Sequence, residues 1–403
     1  MKQRHANEKK FFETLPWNQL PKDRVGISAL KMFLGKLLYN HVRGELPSLV
    51  QEIRRHIAAS RSQLDTLGPA RQTSVEQRQF LTRLATKYQR TVTDSLSGNY
   101  DGTLEPHHPL KLRMHLQNAN DEFGKSVERD GHTRAFRLIN GEIDKEFAPA
   151  TSEDNIYDWI RTRYRESRGA ELPGTVNPTV LERLFRQQSA QWEPIAKGHI
   201  IQVEQIINAF NRALLQDLIP EDSLRTKIEA RNATFSNSVH AAAAIQLDHI
   251  LLDERGGILQ TINHYFADTL ANTREERVLT RLKNLGLEDG GTYIIDLAAI
   301  TRATHLSNEE QAVNDIHDIL KAYYKVAMKR FMDNIVVQVV ERHYLGSDSA
   351  VKAISPEYVG TLSDRDLSDI AAESYATSST RNEVVHRLER LLRALSLAES
   401  QPI

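Results

Sequence analysis

SNEEQAVNDIHDILKAYYKVAMKRFMDNIVVQVVERHY, residues 307–344, reads as one long helix with a defined start. It opens on a capping box: in Ser307-Asn308-Glu309-Glu310 the serine oxygen meets the third helical amide while the glutamate reaches back. Behind it Ile316, Leu320, Tyr323, Tyr324, Ala327, Phe331, Ile335 and Val339 recur at helical spacing, which predicts a helix running to about Tyr344. A helix of that length buries its stripe only along other helices.

The same period recurs outward in both directions. Asn177-Pro178 is an N-cap followed by proline at the first helical position, and Leu181, Leu184, Phe185, Trp192, Ile195, Val203, Ile207, Phe210, Leu214 and Leu218 carry the pattern almost to Pro220. The spacing predicts one helix there, bent at Pro194 and roughly 60 Å long at about 1.5 Å per residue. Further helices are expected at about 222–253 and 258–284, then a weaker segment from Gly286 to Leu306. Upstream, Ile27, Leu30, Leu34, Leu37, Leu38 and Val42 mark one face. Leu46-Pro47 is expected to interrupt it as a hinge-like joint, since proline is best tolerated in the first turn of a new helix. The next helix, about 48–67, stops at Gly68-Pro69. Pattern resumes through Phe80, Leu81, Leu84 and Tyr88, breaks between Ser97 and Pro109, and returns at about 110–130 and 153–167. Ser363-Asp364-Arg365-Asp366 and Thr380-Arg381-Asn382-Glu383 open two more, the last carrying Val384, Leu388, Leu391 and Leu395 in steps of four, three and four. Strand signal is confined to pieces such as Tyr293-Ile294-Ile295. The class is all-α, as an elongated antiparallel helical bundle.

Composition agrees. In 403 residues, 19 glycines and 13 prolines are sparse, which suits long helices, and 40% hydrophobic with 26% charged residues is globular. Acidic residues number 53 against 52 basic, a net charge of -1, which argues against a nucleic-acid binder relying on a global positive field. With no cysteine, disulfides, thiolate metal sites and a cysteine nucleophile are excluded together. No leader or membrane span is legible, so a soluble chain, at most peripheral on membranes, is expected.

Chemistry is equally bounded. The Walker string Gly-x-x-x-x-Gly-Lys-Ser/Thr is absent, as are His-Glu-x-x-His, Asp-Asp-x-x-Asp and Gly-x-Ser-x-Gly. His107-His108 sit in a proline-flanked loop and read as solvated. Arg161, Arg163, Arg165 and Arg168 crowd one helix end, where cations favour the dipole; capping on a solvated face is the better reading, contact with another protomer the alternative. Trp192, Tyr323 and Phe331 read as core. No active site, metal or cofactor is expected in this chain.

Four stretches, in order along nearly the whole chain, together resemble the stalk of the dynamin superfamily, most closely its fungal Mx-like large GTPases. Phe11-Phe12-Glu13 with Pro16, Gly26-Ile27, Leu30 and Leu46-Pro47 resembles the exit from the family's GTPase domain through its bundle-signalling element into the stalk. Arg168-Gly169-Ala170-Glu171-Leu172-Pro173-Gly174 with Asn177-Pro178 and Trp192-Glu193-Pro194 resembles the family's Arg-Gly-Arg-Glu-Leu-Pro-Gly loop and the helix after it. Asn263-His264-Tyr265-Phe266 with Asp268 and Arg277 is similar to its Asn-His-Tyr segment. Residues 314–331 with Leu362-Ser363-Asp364 and Arg381-Asn382-Glu383 resemble its GTPase effector domain.

The resemblance implies a stalk at 47–377, the end of a GTPase-domain connection with a bundle-signalling helix at 1–46, and a second bundle-signalling helix at 378–403. Leu34, Leu38, Leu388, Leu391 and Leu395 would pair residues 27–45 with 380–397 at one end of the bundle, leaving part of the stripe exposed or covered by another chain. It implies a parent whose GTPase domain, with GTP and Mg, precedes these residues. Such a stalk assembles with itself, relays nucleotide-driven motion during membrane remodelling, and is cytoplasmic or peripheral on organelle membranes. Arg168–Gly174 would be the assembly loop, Leu46 and Pro47 the hinge, and residues 286–306 the contact with membrane or a target protein. Glu288, Asp289 and Asp296 against Arg302 predict weak lipid binding there. Surplus stripe on 178–219 and 308–345 is expected to make a two-fold crossing contact, giving a dimer in dilute solution. Ala170 departs from the family's arginine, whose fork makes contacts alanine cannot, and is expected to weaken growth beyond the dimer. An all-α scaffold or tether without a GTPase relative is the rival reading, and a helical enzyme with an unrecognised site the third.

Overall fold

The computed structural model describes residues 2–138, 142–144, 147, 155–169, 174–283, 287–289, 292–294, 306–346, 349–352 and 354–400. Its long elements are helices. In chain order they are α1 (Lys2–Phe12), α2 (Ile27–Thr66), α3 (Ser74–Leu96), α4 (Leu112–Asp130), α5 (Ile156–Glu166), α6 (Pro178–Gln188), α7 (Trp192–Leu218), α8 (Asp222–Arg255), α9 (His264–Lys283), α10 (Asn308–Asn334), α11 (Pro356–Thr361), α12 (Asp364–Ala371) and α13 (Tyr375–Ser400). One antiparallel pair of three-residue strands, β1 (Leu287–Asp289) and β2 (Thr292–Ile294), joins them. The chain divides into two compact units, Met1–Phe80 with Leu367–Ile403, and Leu81–Asp366.

In the second unit α10 is the central element. Its capping box forms as expected, Ser307 Oγ accepting the Glu310 amide at 3.2 Å and Glu310 Oε2 accepting the Ser307 amide at 3.2 Å. Hydrogen bonding to Ser307 holds the Glu310 carboxyl below its ordinary pKa. Ala312, Ile316, Leu320, Ala322, Tyr324, Ala327 and Phe331 are buried around the whole helix, so α10 is enclosed by neighbours. Paired contacts make those neighbours antiparallel to it. Arg165 meets Glu309 while Tyr157 meets His317, and Phe266 lies by Tyr323 while Arg277 meets Asp318. An aromatic cluster fills the middle: Trp192 stacks on Phe331 at 4.8 Å and donates its Nε1 proton to Tyr324 Oη at 2.9 Å.

Four expected boundaries are corrected. The single helix over 178–219 is two, parted at Ser189–Gln191, where Ser189 Oγ turns back to the Phe185 carbonyl at 2.8 Å. The break lets Trp192 turn inward, and Pro194 falls in the first turn of α7, where a missing N–H costs nothing. Conversely, Leu46-Pro47 separates no helices: α2 runs through Pro47 for 40 residues, losing the bond that the proline cannot donate. The helix expected from 258 starts at His264, because Asn263 Oδ1 caps the Tyr265 amide at 3.0 Å. The last helix starts five residues before Thr380, with Ser374 Oγ accepting the Thr377 amide at 3.1 Å.

Beyond Asn334 the helix widens into a π-helix over Ile335–Tyr344. Its buried residues explain the change. Ile335, Val339, Val340 and Tyr344 face inward, yet at about 3.6 residues per turn Ile335 and Tyr344, nine apart, would lie on opposite faces of an α-helix. With bonds from i to i+5 a turn takes roughly 4.4 residues, and the four return to one side. That side packs along α8, antiparallel, through Gln338 with Gln246 and Tyr344 with His240.

The first unit is built on α2 and α13. Helices expected in one bundle therefore divide between the units, α2 and the first turns of α3 belonging here.

Candidate functional site

Two features of the first unit stand out. The N-terminal half of α2 carries Leu30, Met32, Phe33, Leu34, Leu37, Leu38, Tyr39 and Val42, all at least half exposed, and only Ala29 is buried there. Fully burying one such side chain is worth about 1.5–3 kcal/mol, so a run of eight left in water is a surface awaiting cover. Glu8 accepts the Ile27 amide at the start of this helix, beside the contacting rings of Phe11, Phe12 and Trp17. The expected pairing of this half with α13 does not occur. α13 lies instead against the C-terminal half, with Arg54 bonded to Glu399 at 2.8 Å and Arg381 to the carbonyl of Gly68 at 3.0 Å. Leu388, Leu391 and Leu395 are half-buried on α13, remote along α2 from exposed Leu34 and Leu38. An exposed stripe on 27–45 was expected, and it is larger than foreseen.

The register of α13 is fixed by charge, which the apolar pattern did not reveal. The buried Arg381 guanidinium bonds Glu373 at 2.7 Å and donates to the carbonyls of Leu67 at 3.1 Å and Gly68 at 3.0 Å, the exposed carbonyl end of α2. Gly68 has φ +72°, the left-handed turn that lets those carbonyls converge without a Cβ clash. Glu373 also accepts the Arg71 amide at 3.2 Å. Glu76 caps α3 by accepting the Thr73 and Gln72 amides, which hold its carboxyl below the ordinary range, while Gln72 reaches Ser378 and Asn382 on α13. Arg381 was legible only as part of a helix start. Its partners lie eight and some three hundred residues away, so no local pattern announces them. Leu46 is half-buried and Pro47 exposed, between the uncovered and the clamped half.

Of the expected assembly loop, Ala170, Glu171, Leu172 and Pro173 lie outside the described residues. Arg168 stands 5.8 Å over the Tyr164 ring, and Gly174, at φ +92°, lies against Asn308 at the start of α10. The arginines before it are engaged within the chain: Arg161 with Asp158, Arg165 with Glu309 at 2.7 Å, Arg163 with Glu166 at 2.7 Å. Of the 286–306 segment only β1, β2 and Leu306 are described. The surplus stripe expected on 308–345 is mostly absent, because α10 spends its apolar residues inside its own unit. Ile201 and Val337 are exposed, but the denser apolar patch is Leu252, Ile258, Ile262 and Tyr265 around the α8–α9 turn. The Asn263-His264-Tyr265 motif falls in it.

Three buried histidines of the second unit are structural. His199 stacks on Phe123 at 4.5 Å, and burial pushes its pKa down to about 4. Burial likewise lowers His132, and His317, stacked on Tyr157 at 4.4 Å with Nδ1 3.2 Å from Asp318. These are neutral rings held by packing. Among the described residues no group of three His, Asp or Glu could hold a metal ion, and no helix is long and apolar enough to cross a membrane.

Residues 1–275 match the family model described as the dynamin central region. Over 398 residues the chain is 23% identical to the interferon-induced GTP-binding protein Mx1 of Ictalurus punctatus, covering 96% of this chain and 57% of that protein. It is 23% identical over 380 residues to the interferon-induced GTP-binding protein Mx of Larimichthys crocea, covering 91% and 53%. With Mx1 of Oncorhynchus mykiss the identity is 22% over 369 residues, covering 89% and 52%. The chain spans a little over half the length of the curated relatives it matches.

Proposed function

The chain belongs to the dynamin central-region family, and on that footing we propose that it is the noncatalytic, self-assembling stalk of an Mx-like GTPase, near the fungal members. GTP and Mg are then the business of a domain outside residues 1–403, and this chain supplies assembly and relay. The observation that carries the reading is the uncovered stripe of α2. A 40-residue helix that is clamped over one half and apolar and bare over the other is suited to transmit the movement of whatever covers the bare half. Leu46-Pro47 lies between the halves, where a missing helix bond lowers the cost of bending. The rival scaffold without a GTPase relative loses its ground to the matches with proteins named GTP-binding.

Self-association is assigned to the Leu252, Ile258, Ile262 and Tyr265 patch, used twice about a two-fold axis. Growth beyond the dimer is assigned to the Arg168–Gly174 loop and contact with membrane or a target protein to 286–306, with lipid binding weak, at a cytoplasmic or organelle-peripheral location. Sedimentation at several concentrations tests the reading. A dimer is expected in dilute solution, falling to monomer in Ile258→Asp and growing to larger species in Ala170→Arg. A strict monomer at every concentration would defeat it.

A further inference from the structure

Where α7, α8 and the π-helical segment meet, one ring nitrogen faces two partners with opposite demands. His240 Nδ1 is 3.0 Å from the Tyr344 hydroxyl and 3.3 Å from Glu204 Oε2. A nitrogen accepts or donates but does not do both. In the neutral tautomer with its proton on Nε2, Nδ1 spends its one lone pair on the Tyr344 proton and offers Glu204 nothing; protonated, it donates to Glu204 and the Tyr344 hydroxyl loses its acceptor. Tyr344 is buried, so that loss falls on a group with little access to water. His240 and Glu204 are each about a third or more exposed, so a proton can reach them.

We propose that His240 is a proton-operated latch on the end of the π-helical segment, holding Tyr344 when neutral and releasing it for Glu204 when charged. Histidine is the side chain that changes charge between pH 5 and 8. Among the described residues, the short turn Ala350–Lys352, which packs against all three elements, adds one further charge, Lys352. α8 carries no charged residue within four of His240, and α7 none within four of Glu204. On the π segment, Glu341 is engaged with Arg113 and Gln338 with Gln246 and Asn334. Its remaining charged or basic groups are Arg342 and His343, the latter's pKa lowered by burial and then by Arg342. Tyr344 is the last residue of a segment rich in β-branched side chains, Ile335, Val336, Val337, Val339 and Val340, which favour helix poorly. Its anchor is therefore at the weak end of the helix. The inference is independent of the assembly reading.

Hydrogen exchange of residues 335–345, corrected for intrinsic chemistry and followed from pH 8 to pH 5.5, tests it. Protection should fall about tenfold through a single-proton transition, as for loss of one buried hydrogen bond. His240→Gln offers an acceptor to Tyr344 and a donor to Glu204 at every pH, so its profile should be flat. His343→Gln should keep the wild-type transition. A flat wild-type profile, or an unmoved transition in His240→Gln, would overturn the latch.

Discussion

The two halves of α2 share one backbone, yet the C-terminal half is covered along one stripe while the N-terminal half, the richer in apolar residues, is bare. Ile53, Ile57 and Ser60 are closed over by α13, while Leu34, Leu38 and their neighbours are uncovered. What separates them is a partner of fixed register. Arg381 can sit only where the carbonyls of α2 run out, and that places α13 along residues 54–68. Apolar pattern says that a helix wants cover. Here a buried charge says where the cover goes.

The comparison breaks first at the clamp. Arg381→Ala leaves the Glu373 carboxylate buried without its cation, and losing one partner of such a pair costs about 3–5 kcal/mol. Urea unfolding should show that loss, with faster hydrogen exchange over 54–72 and 375–400. A change below about 1 kcal/mol would mean that apolar packing, not charge, sets the register.

Acid should test the second unit next. For His199 the folded-state pKa is lowered, so the folded form binds fewer protons than the unfolded chain. Its contribution is fully present above the unfolded pKa near 6.5 and is lost as pH falls towards about 4, with His132 and His317 acting in the same direction. The full loss from His199 is on the order of 3 kcal/mol, at about 1.4 kcal/mol per pH unit. Thermal melts at pH 7.5 and pH 5 should show about 2 kcal/mol of it, at about 1.4 kcal/mol per unit from 6.5 down to 5, and His199→Leu should flatten the dependence.

Smaller still is Pro47→Ala. Restoring the missing bond should stabilise α2 by about 1–3 kcal/mol and slow exchange around residues 43–47. Unchanged exchange would show that the proline is no weak point. Smallest is Leu38→Asp, expected to alter folding stability by less than about 0.5 kcal/mol because the side chain is already in water. Cooperative unfolding by that substitution would prove the stripe covered.

How much of this could be read from residues alone follows from the range of the interactions. The Ser307 box and the Asn177-Pro178 start are closed within four residues, and both stand where the sequence puts them. The gap at Ser189–Gln191 was illegible because the apolar spacing runs on across it; the demand of Trp192 for Tyr324, 132 positions on, decides it. The π-helix was written in the pattern, as inward residues at steps of four, one and four, but an expectation of α-helix reads past it. Of the candidate site, the α2 stripe was legible as periodicity and the exposure of part of it followed from the family resemblance; that α13 leaves the whole N-terminal half bare was not legible, since that depends on Arg381 finding carbonyls over three hundred residues away.

The division of the chain sets an order of events during synthesis. The unit that holds Ile53 and Ile57 is completed by residues after Leu367, so its early part leaves the ribosome with all of Leu81–Asp366 still to be made. At about 5–20 residues per second that wait is roughly fifteen seconds to a minute. Through it α2 exposes apolar residues along both halves, and among the described residues only the C-terminal half gains cover, from α13. A nascent chain of this kind is served by a chaperone, or a neighbour already folded, until α13 exists.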